Sequence, residues 1–473
     1  MMRRQTLPAG LDIELRGGLA EDFTPHAGAE LLIELGRRSG VMAAAEKSLP
    51  HKKSPTGLGQ GQMVESMVLL SALGGDCIDD LARLRQDRGL AALLGYELPA
   101  AETGRQWLDR FHEPALLEDR PQQGSFIPLE SSWLAGLATV NQQAIKAYVV
   151  AAQPGPVVTL DVDAHLVESS KREALPCYEG FRGYQPLLVS WAETNLVLAD
   201  QFRDGNVPAS AKIRELVDQA YACLPAGPWQ VQVRSDSAAY EEKTLDHWHS
   251  QGWRFAVSAD MSQQLRNEIL KLAATAWQPW VRTKAAGQAP AEHSEGTVRE
   301  WAEVPYVPSR KHETRDRQPY RYVAIRVRKA QGELFADGNS TKHFAVVTND
   351  WETAGQALLE WHRGKAGTIE HVHRVLKDEL AAGVYPSGKF GANAAWLRLQ
   401  VITLNLLELL KAAALDPEYR QARPKRLRLA IFTHIGRVVD HARQQFVRVA
   451  SRVLTGLLRP AKRRLLTVAW PAC

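Results

Sequence analysis

The apolar period of the chain changes twice, and those changes constrain its fold more than any other feature. Up to about residue 150 apolar residues recur at helical spacing, as in Ala29-Glu30-Leu31-Leu32-Ile33-Glu34-Leu35 and Met63-Val64-Glu65-Ser66-Met67-Val68-Leu69-Leu70, with breaks at Gly57, Gly59 and Gly74. From Val157 the runs become short and β-branched. Val157-Val158-Thr159-Leu160-Asp161-Val162-Asp163, Pro186 to Trp191, Leu196 to Asp200, Trp229 to Asp236 and Phe255 to Ser258 read as strands, with a helix from Ser210 to Leu224 among them. After Trp351 the helical period returns and holds to the end. Strands in succession, then strands alternating with helices, predict an α/β fold: a mixed sheet covered by helices, flanked by N-terminal and C-terminal helical regions.

Residues 277 to 350 differ from their surroundings. They hold Trp277, Trp280 and Trp301, then the strand runs Tyr320 to Val327 and His343 to Thr348, with charged, Pro-bearing loops at Lys284 to Gly296 and Val307 to Gln318. This segment reads as a β-rich insertion into the sheet. Residues 114 to 130, with Pro114, Pro121, Gly124 and Pro128, read as a linker before a helix from Glu130 to Ala151. The small helical front end leaves helix-turn-helix DNA binding open.

The 473 residues, 45% apolar, suffice for two or three cores. Cys77, Cys177, Cys223 and Cys473 are scattered, which excludes a disulfide scaffold and a zinc finger and points to a reducing compartment. Met1 to Gly10 lacks the apolar stretch of a signal peptide. The run Trp396 to Leu410 is broken by Arg398, Gln400, Asn405 and Glu408, too short and polar to span a bilayer. A net charge of +5 is unremarkable, but its distribution is not. Arg420, Arg423, Lys425, Arg426, Arg428, Arg437, Arg443, Arg448, Arg452, Arg459, Lys462, Arg463 and Arg464 stand against one acid, Asp440, so this stretch carries +12 and the rest of the chain −7. Such a tail is either a solvated helical face or a surface for a polyphosphate.

Two strands end in acids. Asp161 and Asp163 share one face because side chains alternate, and Asp236 closes another strand. Glu370 lies in Gly367-Thr368-Ile369-Glu370-His371-Val372-His373-Arg374-Val375-Leu376-Lys377, whose helical spacing puts Glu370, His373, Arg374 and Lys377 together. Glu370 and His373 also have the Glu-x-x-His spacing of di-iron bundles, without a second copy. Oxygen ligands of this kind can hold two divalent cations, which serve phosphodiester displacement. Singly, a strand-end aspartate is more often a turn former than a ligand, and Glu370 on an amphipathic helix reads as a solvated acid.

In combination these residues look like a family. The strand with Asp-x-Asp, then Tyr178-Glu179-Gly180-Phe181-Arg182-Gly183-Tyr184-Gln185-Pro186-Leu187 and Phe202-Arg203-Asp204-Gly205-Asn206, then Val233-Arg234-Ser235-Asp236-Ser237 and the Glu370 helix resemble insertion-sequence transposases of the DDE superfamily, most closely the group numbered 1380, from about His26 to Trp470. The resemblance implies an RNase H-like mixed sheet interrupted before the glutamate. It implies Asp163, Asp236 and Glu370 as catalytic acids and ligands of two Mg²⁺ (or Mn²⁺) ions, with Asp161 the runner-up for the first position. Related families place Tyr, two residues, Arg, three residues, Glu, six residues and Lys around the glutamate. Here Glu370 and Lys377 fit, but Arg363 and Ala366 stand at the Tyr and Arg positions, with Lys365, Arg363 and Trp361 close enough to substitute. Lys377, Arg374 and Lys365 are the expected DNA contacts. Relatives that cut through a hairpin stack an aromatic residue of the insertion on a flipped base, which points to Trp280 or Trp301, each otherwise a core tryptophan.

The expected organisation is a helical DNA-binding region at 1–150, the catalytic domain at 151–276 and 351–411, the insertion at 277–350 and a basic helical region at 412–473. The implied function is a DNA transposase that cleaves and joins transposon ends, binding double-stranded DNA at terminal inverted repeats and at the target, with a homodimer in the synaptic complex. A bacterial, cytoplasmic setting with no membrane contact, nucleoid-associated when on DNA, goes with it. A catalytically inactive or repurposed DNA-binding protein, and an RNase H-like nuclease without strand transfer, are the alternatives.

Overall fold

A computed structural model describes residues 22–51, 56–121, 124–280, 297–308, 320–329, 334–335, 337–441 and 444–472. The insertion's two charged loops, apart from Val307 and Pro308, lie outside the described residues, as do Met1 to Gly10, Arg443 and Cys473. After a short strand β1 (Phe23–Thr24) come helices α1 (Glu30–Arg38), α2 (Val41–Ser48), α3 (Gln60–Ala72), α4 (Asp80–Arg85), α5 (Arg88–Leu94), α6 (Ala101–Asp109) and α7 (Ser132–Ala152). Ser131 starts α7 by accepting the Leu134 amide with its hydroxyl.

The β-branched runs then form β2 (Val157–Ala164), β6 (Leu187–Trp191) and β7 (Leu196–Gln201), with three short strands β3 (Val167–Glu168), β4 (Leu175–Pro176) and β5 (Arg182–Tyr184) making a separate small sheet. Helix α8 (Ile213–Ala222), β8 (Gln230–Ser235), α9 (Glu242–Ser250), β9 (Arg254–Ser258) and α10 (Gln263–Leu270) follow. The insertion supplies β10 (Gln278–Pro279), β11 (Thr297–Val304), β12 (Arg321–Lys329) and β13 (Thr341–Thr348). All join one nine-stranded sheet of order β10-β11-β12-β13-β9-β8-β2-β6-β7, parallel at β2/β8 and β8/β9 and antiparallel elsewhere. The β7-β6-β2-β8-β9 half has the strand order and sense of an RNase H-like sheet. The insertion is not a detached lobe, because β13 pairs with β9 and extends that sheet.

Helices α11 (Gly355–Arg363), α12 (Lys365–Glu379) and α13 (Phe390–Ala413) close the fold, followed by α14 (Pro424–Leu427). Helix α13 is buried almost all round, packed on α7, α3 and β7, so one core joins the front-end helices to α12 and α13. The expected helical period does not hold to the end. Gly436–His441 (β14) and Gln444–Val449 (β15) form a hairpin that pairs with β1, before α15 (Ser451–Val453) and α16 (Arg459–Thr467). The cause is local: Gly436 and Val438 are buried while Arg437 between them is exposed, a period of two.

Candidate active site

The site is set by the register of two parallel strands. Asp161 lies opposite Arg234 and Val162 opposite Ser235, so Asp163 and Asp236 follow at adjacent strand ends. Val158, Leu160 and Val162 of β2, with Val231 and Val233 of β8, face one core. Alternation turns Asp161, Asp163 and Arg234 to the other face, where α12 packs on β2.

The two aspartates of β2 have different surroundings. Asp161 is wholly buried: its Oδ1 accepts from Arg234 Nε at 2.6 Å, its Oδ2 from Nη2 at 2.8 Å, and the Thr368 hydroxyl donates to Oδ2. Both its oxygens are thus taken by protein groups. Asp163 meets Lys365 Nζ at 3.9 Å and His373 Nε2 at 3.7 Å, both beyond hydrogen-bond reach. Burial pushes the Asp163 carboxyl up to about 6, Lys365 opposing and the charges of Asp236 and Glu370 adding to the rise. Three of the sequence-predicted acids therefore share one electrostatic neighbourhood.

Asp236 is half-buried and caps the turn Ser237–Ala239, its Oδ1 accepting the Ala238 amide at 3.0 Å. A polar groove that includes Lys212, Arg214 and Lys243 opens beside it. On α12, Glu370, Arg374 and Lys377 are exposed, but His373 turns inward instead of sharing their face. Burial pushes the His373 imidazole down to about 3, with His165, 5.3 Å away between ring centroids, acting in the same direction. Its contact with Asp163 is therefore that of a neutral ring, not an ion pair. Of the three residues near the glutamate that could replace the missing arginine, Lys365 approaches Asp163. Arg363 instead lies over the Trp280 ring at 5.3 Å, and Trp361 lies under Arg254 at 4.3 Å.

Trp280 and Trp301 are buried, 6% and 8% exposed, in a small core with Val323, Val346, Leu358 and Leu359. Neither offers an open ring face in this structure. Gly355 is required there because a Cβ would sit 2.2 Å from the Trp301 ring.

Sequence reasoning missed Arg234, Thr368 and His362. Beyond Asp161, Arg234 donates from Nη1 to the Trp361 carbonyl at 2.6 Å, and His362 Nε2 contacts the Ser235 carbonyl at 2.9 Å. No local signal marks the arginine: in Gln230-Val231-Gln232-Val233-Arg234 it falls on the polar side of the alternation, like the two glutamines before it.

Carboxylate oxygens suit Mg²⁺ or Mn²⁺, and the unfavourable ionisation of Asp163 beside two more acids is what a divalent cation would relieve. Among the described residues no three acidic, histidine or cysteine side chains stand close enough to form a ready-made cage.

An RNase H-like sheet with acids at the ends of its parallel strands and on the following helix is the frame of a DDE transposase. The chain belongs to the family described as "Transposase DDE domain group 1", whose model matches residues 12–467. Transposases of this family generally use divalent metal ions. No curated protein sequence matches the chain. Among solved structures it is similar to one titled "Cryo-EM structure of piggyBac transposase synaptic complex with hairpin DNA", at 11% identity over 80% of this chain and 74% of that one, with a TM-score of 0.43. Among the described residues no helix is long and apolar enough to cross a membrane.

Proposed function

We propose that this transposase cuts and joins the ends of its element, holding two Mg²⁺ or Mn²⁺ ions with Asp163, Asp236 and Glu370. The observation that carries this reading is the register of β2 and β8, which leaves Asp163 and Asp236 at adjacent strand ends on the sheet against which the Glu370 helix packs. Bound there, the ions supply activation of the attacking oxygen and stabilisation of the leaving one. Asp161 takes no part as a ligand, since Arg234 and Thr368 occupy both its oxygens. Lys365 offsets negative charge at Asp163 before substrate arrives. Lys377 and Arg374, exposed on the helix that carries Glu370, take phosphates next to the cut. The basic C-terminal region holds the terminal inverted repeats, and joining two ends calls for a homodimer on DNA.

The test is cleavage of labelled DNA carrying the inverted repeats that flank the reading frame, with Mg²⁺ or Mn²⁺. Asp236→Asn is expected to abolish cutting and leave DNA binding intact; cutting that survives sinks the assignment. Cutting without joining in a strand-transfer assay identifies a nuclease instead, and binding without cutting by the parent chain identifies a DNA-binding protein.

A further inference from the structure

We infer that Arg234 is a positioning residue that fixes the glutamate helix against the two aspartate strands, an inference that rests on the reading of the site given above. One guanidinium joins three elements. Nε and Nη2 grip Asp161 on β2, Nη1 donates to the Trp361 carbonyl on α11 at 2.6 Å, and Nη2 meets the Thr368 hydroxyl on α12 at 3.3 Å. Thr368 in turn donates to Asp161, closing a ring of contacts one residue from Ile369 and two from Glu370. Arg234 itself lies two residues before Asp236 on β8.

The junction between α11 and α12 is shaped around this side chain. Gly364 has ordinary helical angles, so no unusual backbone demands glycine. A Cβ there would instead lie 2.6 Å from Arg234 Nη1. The guanidinium also lies 5.5 Å from the Trp361 ring centroid. The planar fork matters because it reaches a carboxylate with two parallel hydrogen bonds and keeps a third donor for the helix junction, which lysine cannot do. Asp161 and Arg234 are both buried and neutralise each other, so the pair spends its charge on geometry and leaves Asp163, Asp236 and Glu370 with the surplus of acid. Residues that orient metal-holding side chains in this way commonly matter 10- to 100-fold for metal affinity or activity.

Arg234→Lys and Thr368→Val in the full chain test the inference, each compared with the parent. The readouts are Mn²⁺ binding followed by electron paramagnetic resonance of the free ion, the Mg²⁺ concentration for half-maximal cutting, DNA binding and thermal unfolding. Arg234→Lys is expected to bind DNA within about twofold of the parent, while Mn²⁺ binding weakens about 10- to 100-fold and the Mg²⁺ requirement rises with it. Thr368→Val shifts both in the same direction by less. A lower melting temperature with unchanged metal dependence overturns the inference and leaves Arg234 a structural residue. Where Arg234→Lys does not fold, Thr368→Val decides, and parent-like metal binding by it is equally fatal. A parent chain that neither takes up Mn²⁺ nor cuts any end removes the site reading itself; a parent that does both while the variants match it removes only the role of Arg234.

Discussion

Asp161 and Asp163 are the same residue type on the same face of one strand, yet burial acts on them in opposite ways. For Asp161 the desolvation cost is met by a two-point ion pair and a hydroxyl, so its charge holds the structure together. Asp163 faces two further acids and no hydrogen-bonded cation, so its charge strains the structure. Opposite stability effects follow for one substitution. Asp161→Asn leaves the buried Arg234 without its anion and is expected to cost about 3 kcal/mol in chemical denaturation, whereas Asp163→Asn leaves stability unchanged or raises it. A destabilised Asp163→Asn protein contradicts this assignment of strain to the site. His362 carries a pH signature. Burial pushes it down to about 4 while the unfolded chain takes up its proton at the ordinary value, so its stabilisation is present above about pH 6.5 and is lost as pH falls towards 4. That amounts to about 2 kcal/mol between pH 7 and pH 5. In His362→Gln, whose amide can still donate to Ser235, urea midpoints at the two pH values should lie correspondingly closer together.

At the scale of elements, what the sequence made legible follows from what a period can carry. Strands β2, β6, β7, β8 and β9 were readable because runs of five or more residues are long enough to define a strand. β3, β4 and β5 were not, since two or three residues define no period, and the β14–β15 hairpin was hidden among arginines. The acids Asp163, Asp236 and Glu370 were visible as strand-end and helical residues in order, but the partnership of Asp161 with Arg234 depends on the register of β2 and β8, which no local pattern encodes. Polar residues in α13 show the same limit. Arg398 and Asn405 read as interruptions of an apolar run, and they turn out to be its ties. Arg398 reaches Asp200 at 3.0 Å and the Leu134 carbonyl at 2.8 Å, and Asn405 accepts the Val197 amide at 2.9 Å on the edge strand β7. Arg398→Met is therefore expected to destabilise by about 3–5 kcal/mol, because Asp200 is left buried without its cation, and Asp200→Leu in the same chain should restore much of that loss. Independent, additive effects of the two substitutions in a thermal or urea series would show that the pair is not coupled.

Over the whole molecule, the charge that a net of +5 conceals is itself divided by the fold. Part of the basic tail is consumed internally: Arg437 pairs with Asp22 at 2.6 Å, Arg464 with Asp416 at 2.5 Å, Arg423 with Glu379 and Lys462 with Glu30, while Arg428 donates to the carbonyls of Ser71 and Ala72. These contacts fasten the tail to the body. Arg420, Lys425, Arg426, Arg448, Arg452, Arg459 and Arg463 are exposed and make no ion pair among the described residues, and Arg448 lies over the Phe446 ring at 5.4 Å on the hairpin. Only the second group has charge left for phosphate, so the two groups should separate in a salt titration. Each phosphate neutralised contributes about 0.9 to the slope of log affinity against log salt on duplex DNA. Replacing Arg448, Arg452, Arg459 and Arg463 together by Gln is expected to flatten that slope by about 3–4, as four lost phosphate contacts require. Arg437→Gln with Arg464→Gln, which removes charges already met by aspartates, should change the slope by less than about 1 and lower the melting temperature instead. A slope that the fourfold replacement leaves untouched would move the DNA-holding surface away from the tail, to the front-end helices or to the groove beside Asp236.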